Sequence, residues 1–330
     1  MYNRLAQLIK QNFNIEVINI EKISDHDGKV YLIESAFEKY ALKEMGPDSN
    51  LENERDLIEH LICKGIKVPK IYYTINGNHV FSDSGLQYIL YEFIEGTMFD
   101  LNTAPDWFLI KSAQTLGKIQ NALKDYKQLP LLFGQNFFSK DNYIWREQNI
   151  NEKIKHAEEK NDASLVIALK ERLKHIKKVS NFEFDCDKFT YVNSHGDFYV
   201  NQVIVHERDL VTIDWTNPWY LPACNEVLMS YVYIAPECKD GVISIANFKP
   251  YLDEYLKYAP ITLNHYDFKM MPYLMYYYCI FCSFTPPYED LSDDYFKIAN
   301  LTDCLANWLY DNADILSQEL CELIISKGAD

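Results

Sequence analysis

Two aspartates joined by a short predicted hairpin constrain this chain more than any other feature of its sequence. The first, Asp197, lies in the segment Ser194–Asp197 and precedes the apolar run Val203–Val205. Four polar residues follow this run, and a second apolar run then ends at Asp214 and Trp215. Two apolar runs on either side of a polar turn predict a pair of antiparallel strands. One carboxylate therefore precedes the first strand, and the other lies where the second strand ends.

Carboxylates in this arrangement suit the transfer of a phosphoryl group. The reaction needs one carboxylate to orient and deprotonate the attacking hydroxyl and another to hold Mg²⁺ on the phosphates. A short hairpin would bring Asp197 and Asp214 to one reacting centre, as a near-attack geometry requires. Glycine is scarce, with 11 residues in 330, so a glycine-rich phosphate loop is not expected.

The same stretch resembles the aminoglycoside and choline kinase family, whose fold is like that of protein kinases. The family pattern H-G-D-x-x-x-x-N, a hairpin and then I-D-W or I-D-F is matched by His195–Asp197 and Ile213–Trp215. The resemblance covers roughly residues 15–235. It implies an α+β, bilobal protein-kinase-like fold, with a small antiparallel-sheet N-terminal lobe containing one helix and a larger, mainly helical C-terminal lobe. It also implies ATP and Mg²⁺ as cofactors and a small-molecule hydroxyl as acceptor, with Asp197 as the catalytic base.

Further site residues follow from the resemblance. Lys43, on a predicted strand at Tyr40–Lys43, matches the lysine that contacts the α/β-phosphates. A glutamate on the next helix should pair with this lysine. Glu54 fits best, with Glu52 and Glu59 as alternatives.

The predicted hinge strand supplies the adenine contacts in the same way. The backbone of Glu92, Phe93 and Ile94 should lie against the base. The strand runs directly into Glu95 and Gly96, as the family's hinge does.

The metal ligands are the point at which the chain departs from the family pattern. Asp214 matches the metal-binding aspartate, but Gln202 stands where the family has asparagine, and Asn201 lies one place earlier. The register of the strand that begins at Val203 favours Gln202 as the second ligand, with Asn201 as its rival. The family also shows an aspartate on a helix after Pro222, and here that place holds Asn225 or Glu226. One of these two residues is expected to brace the catalytic loop.

The order of predicted elements places a boundary near Glu95 and Gly96. Before it, three strands, an amphipathic helix at Leu51–Cys63 and two more strands describe a nucleotide-binding lobe of residues 1–95. Beyond it, helical patterns at Trp107–Leu123 and Asn151–Lys178 begin a catalytic and substrate-binding lobe of residues 96–330. Most of the chain after Pro222 is also predicted to be helical.

The acidic composition of the chain limits the partners that it is expected to bind. The formal net charge is −16, which repels nucleic acid and anionic membrane surfaces and would attract a cationic small molecule. Cys279 and Cys282 form a C-x-x-C inside an apolar run, which predicts buried thiols in a helix and not metal ligands. With no apolar signal peptide at residues 1–6, a cytoplasmic protein is expected.

Two alternative functions stay open. The segment Ser24–Lys29, in the place of the phosphate loop, has one glycine and two acids. Together with Gln202, it would fit a non-catalytic or nucleotide-binding relative, such as the spore-coat proteins that resemble this family. A protein kinase is disfavoured, because Tyr199 stands where protein kinases carry a lysine and Gly196 where they carry an arginine.

Overall fold

The computed structural model describes residues 2–24, 28–46, 51–281, 284–288 and 291–327. Contacts between Cα atoms divide the chain into two units. The first contains Met1–Met98 and Gln202–Asn217, and the second contains Phe99–Asn201 and Pro218–Asp330. The first unit therefore includes a second, distant piece of the chain, which the division after residue 95 did not anticipate.

The strands of the described residues form one larger sheet and two small ones. They are β1 (Val17–Ser24), β2 (Lys29–Ser35), β3 (Lys39–Met45), β4 (Ile71–Tyr72), β5 (Phe81–Asp83), β6 (Leu86–Glu92), β7 (Tyr191–Ser194), β8 (Val203–His206), β9 (Asp209–Thr212) and β10 (Trp219–Pro222). The antiparallel sheet of the first unit has the order β1-β2-β3-β6-β4, and β5 also pairs with β6. Strand β7 pairs with β10, and β8 with β9.

The helices follow the expected division into a sheet-rich unit and a helical unit. They are α1 (Tyr2–Phe13), α2 (Glu52–Cys63), α3 (Asp106–Leu123), α4 (Lys140–Glu159), α5 (Ala163–Val179), α6 (Ala223–Ile234), α7 (Ile245–Leu256), α8 (His265–Phe281) and α9 (Asp293–Lys327). Among its described residues the first unit thus holds two helices where the sequence predicted one, because α1 precedes β1. Over the described ranges, no helix combines the length and apolar character needed to cross a bilayer.

Helix α1 covers one face of the larger sheet. Its Leu5 and Ile9 are buried in a cluster with alternate residues of β2 and β3, including Ile33 and Leu42. Burying each such side chain contributes about 1.5–3 kcal/mol. Side chains alternate between the two faces of a strand, so the neighbours of these core residues lie on the opposite face.

That opposite face carries Lys43. In the register of β3 with β6, Lys43 is opposite Ile89 and Ala41 is opposite Tyr91. Residues directly opposite in an antiparallel pair project to the same side. Lys43 and Tyr91 therefore lie on one face, away from α1.

The β8–β9 hairpin joins the first unit through its edge. Val205 exchanges two backbone hydrogen bonds with Thr97, of 2.8 and 3.1 Å. Gly96 allows this approach, because a Cβ there would come within 2.4 Å of the Val205 carbonyl oxygen. The turn residues Glu207 and Arg208 both have positive φ, as a two-residue hairpin turn of type I′ requires.

The predicted helix at 151–178 is two helices in the structure. Asn161, with φ +56°, ends α4, and the Asp162 side chain accepts a hydrogen bond from the Leu165 N–H at the start of α5. An aspartate at this position caps a helix N-terminus and so favours a new start over a continuous helix. In α8, Cys279 is buried as expected, whereas Cys282 lies outside the described residues.

Candidate functional site

Lys43 and Asp214 form an ion pair within the first unit. Lys43 Nζ lies 2.6 Å from Asp214 Oδ1 and also donates to Thr216 Oγ1 at 2.5 Å. The Lys43 side chain is 10% exposed and that of Asp214 is 36% exposed. The attraction between the two charges is therefore stronger than it would be in bulk water.

The turn that carries Asp214 is anchored on both sides. Before it, the Ile213 N–H donates to the Gln202 carbonyl oxygen at 3.0 Å. After it, Trp215 is buried, and its indole N–H donates to the Thr212 carbonyl oxygen at 3.2 Å. Asp214 itself has φ +60°, a conformation that aspartate tolerates better than most residues.

In the structure the ammonium of Lys43 contacts Asp214, and the expected pairing of Lys43 with Glu54 stays a prediction. Glu54 Oε1 accepts a 2.7 Å hydrogen bond from the Tyr91 hydroxyl. Glu54 Oε2 is buried without a hydrogen-bond partner among the described residues. Burial raises the pKa of Glu54, although the nearby Lys43 lowers it. Glu54 therefore interacts electrostatically with Lys43, although the hydrogen bonds of Lys43 go to Asp214 and Thr216.

Of the three candidate glutamates on α2, Glu54 is the one with a buried side chain in the described residues. Glu54 is 4% exposed. Glu59 is exposed, and its Oε1 accepts a hydrogen bond from the Tyr73 hydroxyl. The side chain of Glu52 lies outside the described part of the chain.

The predicted adenine contacts lie at the end of β6. Glu92 is the last residue of this strand, and its N–H donates to the Lys70 carbonyl oxygen at 2.8 Å. That N–H is therefore already used. Phe93 and Ile94 follow, both partly buried. An adenine contact with an N–H group at this hinge would accordingly depend on these two residues.

The residues of the predicted metal site fit a hard divalent cation. Carboxylate and amide oxygens suit Mg²⁺, which is commonly bound by one or two protein groups together with phosphates and waters. Asp214 is the carboxylate of this set, and it lies partly exposed beside the ammonium of Lys43. In the described ranges, no group of three or more His, Cys, Asp or Glu side chains is placed to hold a metal. Asp214 and Gln202 offer donor atoms of the kind that such a cation takes.

Gln202 belongs to the same unit as Asp214, whereas Asn201 is the last residue of a segment of the other unit. The backbone bond from Ile213 fixes Gln202 at the base of the turn that carries Asp214. The choice of Gln202 over Asn201 as the second ligand stays a prediction.

Of the predicted phosphate loop, Asp25, His26 and Asp27 lie outside the described residues. Lys29 Nζ is 2.5 Å from Glu44 Oε1, and the Tyr88 hydroxyl donates to the other oxygen of Glu44 at 3.2 Å. Lys29 is opposite Glu44 in the sheet, so it projects to the face that does not carry Lys43. Lys29 is therefore held by Glu44 on the face of the sheet opposite to Lys43.

The loop that carries Asp197 follows β7 in the second unit. Ser194, the last residue of β7, is fully buried, and Asp197 is partly exposed. Gly196 has φ +84°, and a Cβ there would lie 2.3 Å from Cδ1 of Trp219. Glycine is therefore required both for the backbone conformation and for the approach of the indole ring.

Glu226 braces this loop. Its Oε1 accepts a 2.7 Å hydrogen bond from the Gly196 N–H, and Gln120 donates to its Oε2 at 3.5 Å. The Tyr255 hydroxyl in turn donates to Gln120 Oε1 at 2.5 Å. Burial raises the pKa of Glu226 to about 7. Of the two candidates named from the sequence, Glu226 makes this contact, while Asn225 is buried with its Oδ1 lacking a partner among the described residues.

Two residues of the site were not anticipated from the sequence. Thr216 contacts both Lys43 and Asp214, and Tyr91 holds Glu54. Thr216 follows the I-D-W motif directly, and Tyr91 shares a strand face with Lys43. These two positions could have indicated a role in the site. A threonine or a tyrosine alone, however, does not identify a site residue.

Solved structures of several kinases are similar to this chain in fold. An amicoumacin kinase in complex with AMP-PNP, Ca²⁺ and Ami is 14% identical, with a TM-score of 0.61 and 93% of each chain covered. A microcompartment-associated aminopropanol kinase is 14% identical, with a TM-score of 0.64 and coverage of 96% of this chain and 99% of that one. The choline kinase LicA from Streptococcus pneumoniae is 19% identical, with a TM-score of 0.55 and coverage of 93% and 99%.

These likenesses confirm the bilobal protein-kinase-like fold. No curated protein matches the sequence. The model of the phosphotransferase enzyme family matches residues 20–237, which is more than half of the chain and includes both aspartate motifs. The chain therefore belongs to the phosphotransferase enzyme family, as the resemblance to aminoglycoside and choline kinases implied.

Proposed function

We propose that this protein is an ATP- and Mg²⁺-dependent kinase that phosphorylates a hydroxyl group of a small, positively charged molecule. The observation that carries the proposal is the contact of Lys43 with Asp214. The two residues are 171 positions apart in the sequence, yet their side chains meet in one unit. They stand in the family's order. A nucleoside triphosphate with its metal requires a lysine for the phosphates and a carboxylate for the metal, side by side.

The site residues of the first unit would bind different parts of the nucleotide and its metal. Lys43 would bind phosphate oxygens, and the backbone of Phe93 and Ile94 would bind adenine. Asp214 and Gln202 would hold Mg²⁺, which neutralises charge on the phosphates when it is bound. The complexes of related kinases with AMP-PNP, Ca²⁺ and ADP support a nucleotide and a divalent cation as ligands of this fold.

Asp197 would act on the acceptor. It would orient the attacking hydroxyl and take its proton as the phosphoryl group is transferred. Gly196 and Glu226 would hold the loop so that this carboxylate is placed before the reaction begins. Catalysis would be mainly positioning and charge neutralisation.

The acceptor is proposed to be an amino alcohol or an aminoglycoside-like molecule. A net charge of −16 favours the approach of a cation. Kinases for choline and for aminopropanol are among the structural relatives, and both names denote an alcohol that carries a cationic nitrogen group. Trp219 is partly exposed and lies against Gly196, and an indole ring is of the kind that attracts ammonium groups.

A binding experiment followed by a turnover experiment tests the proposal. Mg·ATP at 100 times its dissociation constant should stabilise the folded protein by about 2.7 kcal/mol, measured as a rise in melting temperature. Mg²⁺ alone and ATP with EDTA are the controls. ATP consumption should then rise with one or more members of a panel of amino alcohols and aminocyclitols.

Different results reject different parts of the proposal. A folded sample whose melting temperature does not move with millimolar Mg·ATP contradicts nucleotide binding. Binding without ATP consumption for any member of a broad acceptor panel favours the non-catalytic, nucleotide-binding relative instead.

A further inference from the structure

Thr216 closes a triangle of hydrogen bonds around the ion pair. Lys43 Nζ donates to Thr216 Oγ1 at 2.5 Å, and Thr216 Oγ1 donates to Asp214 Oδ1 at 2.9 Å. The third side is the 2.6 Å contact of Lys43 with the same Oδ1. The hydroxyl thus touches both charged groups at once.

A hydroxyl is suited to this position by its chemistry. It can accept a hydrogen bond from an ammonium through a lone pair and donate its own proton to a carboxylate. An aliphatic side chain could do neither, and a second carboxylate would repel Asp214. Hydrogen bonds to ionised groups are also the shorter and stronger kind.

The contact restrains the one side chain on which the proposed metal site most depends. Asp214 lies on a turn whose backbone is anchored by Ile213 and Trp215, but its carboxylate is about one-third exposed. An exposed side chain retains rotamer freedom unless a specific contact removes it. Lys43 alone would attract the carboxylate without fixing its orientation, because an ammonium acts as a point charge. The bond from Thr216 selects one of them.

We propose that Thr216 is a positioning residue for the divalent cation, which holds the Asp214 carboxylate in a single orientation beside Lys43. The inference rests on the proposed function, since it concerns the metal that would accompany the nucleotide. It adds a residue that the family motif does not include. Preorganisation of the ligand is the expected gain, because less rotamer entropy is then lost when the metal binds.

The test compares two threonines of the same segment. Thr216→Val removes the bridging hydroxyl and keeps the side-chain shape, while Thr216→Ser keeps the hydroxyl. Thr212→Val is the matched control, because Thr212 is fully buried and its hydroxyl has no hydrogen-bond partner among the described residues. Calorimetric titration with Mn²⁺ at a fixed concentration of AMP-PNP measures the metal concentration at half-saturation.

Thr216→Val should raise that concentration about three- to tenfold, the effect of losing one hydrogen bond. Thr216→Ser and Thr212→Val should stay within twofold of the parent. Each variant without nucleotide should still unfold in one cooperative transition, so that a loss of folding is distinguished from a loss of metal binding.

Two results would overturn the inference while leaving the proposed function intact. One is a parent that binds Mn²⁺ and AMP-PNP, with Thr216→Val binding equally well. The other is an equal loss in Thr212→Val, which would mean that any change in this segment weakens binding. A parent that binds no Mn²⁺ with AMP-PNP contradicts the proposed function itself, and the role of Thr216 with it.

A double-mutant cycle adds a readout that needs no nucleotide. Thr216→Val and Asp214→Ala should show coupled effects on the free energy of unfolding, because each removes one partner of the same hydrogen bond. Additive effects of the two changes would contradict the contact on which the inference depends.

Discussion

Glu226 accepts a 2.7 Å hydrogen bond from the backbone N–H of Gly196, the residue directly before Asp197. A carboxyl group on α6 thereby fixes the backbone of the loop that carries the proposed base. Glu226 is fully buried, and burial raises its pKa to about 7, although hydrogen bonds from Ser194, Gly196 and Gln120 act in the opposite direction. The brace of the loop is therefore a group that titrates near neutral pH.

The raised pKa predicts a specific dependence of stability on pH. The ordinary pKa of a glutamate is 4.5, so between pH 4.5 and about 7 the folded protein keeps a proton that the unfolded chain has released. The stability that this proton provides is fully present below pH 4.5. It is lost as the pH rises through 7, by a total on the order of 3 kcal/mol.

Glu226→Gln should remove this dependence, because the amide is neutral throughout. Its oxygen can still accept from Gly196, so the variant should stay folded. Urea unfolding at pH 5 and pH 8 measures the effect, with Glu159→Gln, an exposed carboxylate of α4, as the control. The fall in unfolding free energy between the two pH values should be smaller in Glu226→Gln by on the order of 2 kcal/mol. The same fall in parent and variant would show that Glu226 is ionised in the folded protein at both pH values.

The two aspartates should separate turnover from metal-dependent binding. Asp197→Ala removes the proposed base, so it should abolish ATP consumption and leave the affinity for AMP-PNP with Mg²⁺ within about twofold of the parent. Asp214→Ala removes a metal ligand and the partner of Lys43, so it should weaken that affinity at least tenfold. Calorimetric titration gives both affinities. If both variants bind the nucleotide like the parent, Asp214 is not a metal ligand.

The bond between Tyr91 and Glu54 should matter for stability. Tyr91→Phe would leave Glu54 buried with neither carboxyl oxygen hydrogen-bonded, at a cost of about 1–3 kcal/mol in the free energy of unfolding. Tyr73→Phe is a matched control, because it removes a tyrosine–glutamate bond, to Glu59, that is exposed. The control should change stability by less than about 0.5 kcal/mol. Equal effects of the two changes in urea unfolding would contradict the buried role of Tyr91.

The parts of this fold that the sequence predicted are those with strong local patterns. The strands β2 and β3, the hairpin at 203–212 and the helix at 106–123 all have the expected periodicity. Helix α1 was missed, although its Leu5, Leu8 and Ile9 have helical spacing. Twelve residues make a marginal helix by themselves. The contacts with β2 and β3 that stabilise it are long-range, and a local pattern does not display them.

The residues of the candidate site were also predicted only in part. Lys43 and Asp214 could be named because motif order identifies them, but the partner of Lys43 could not. In the structure its hydrogen bonds go to Asp214 and Thr216, while Glu54 accepts one from the Tyr91 hydroxyl. The choice between Asn225 and Glu226 depended on the rotation of α6, where one residue turns a side chain by about 100°. The sequence names both residues and cannot fix that angle.

The second metal ligand gives the sharpest remaining prediction. Gln202 accepts the Ile213 N–H through its backbone, which places it one residue before β8 and beside the turn that carries Asp214. Asn201 and Gln202 both lie in a 3-10 helical turn, Val200–Gln202, where successive side chains point about 120° apart. If Gln202 faces the metal, Asn201 therefore points in a different direction.

Gln202→Ala should then raise the Mg²⁺ concentration needed for half-maximal ATP consumption several-fold, whereas Asn201→Ala should change it little. Gln202→Asn should restore a requirement at or below that of the parent, because the shorter amide is the ligand used in the family pattern and loses less rotamer freedom on binding. Titration of Mg²⁺ at saturating ATP measures all four proteins. The opposite order of the two alanine variants would assign the ligand to Asn201 and would mean that the hairpin is aligned one residue out of register with the family motif.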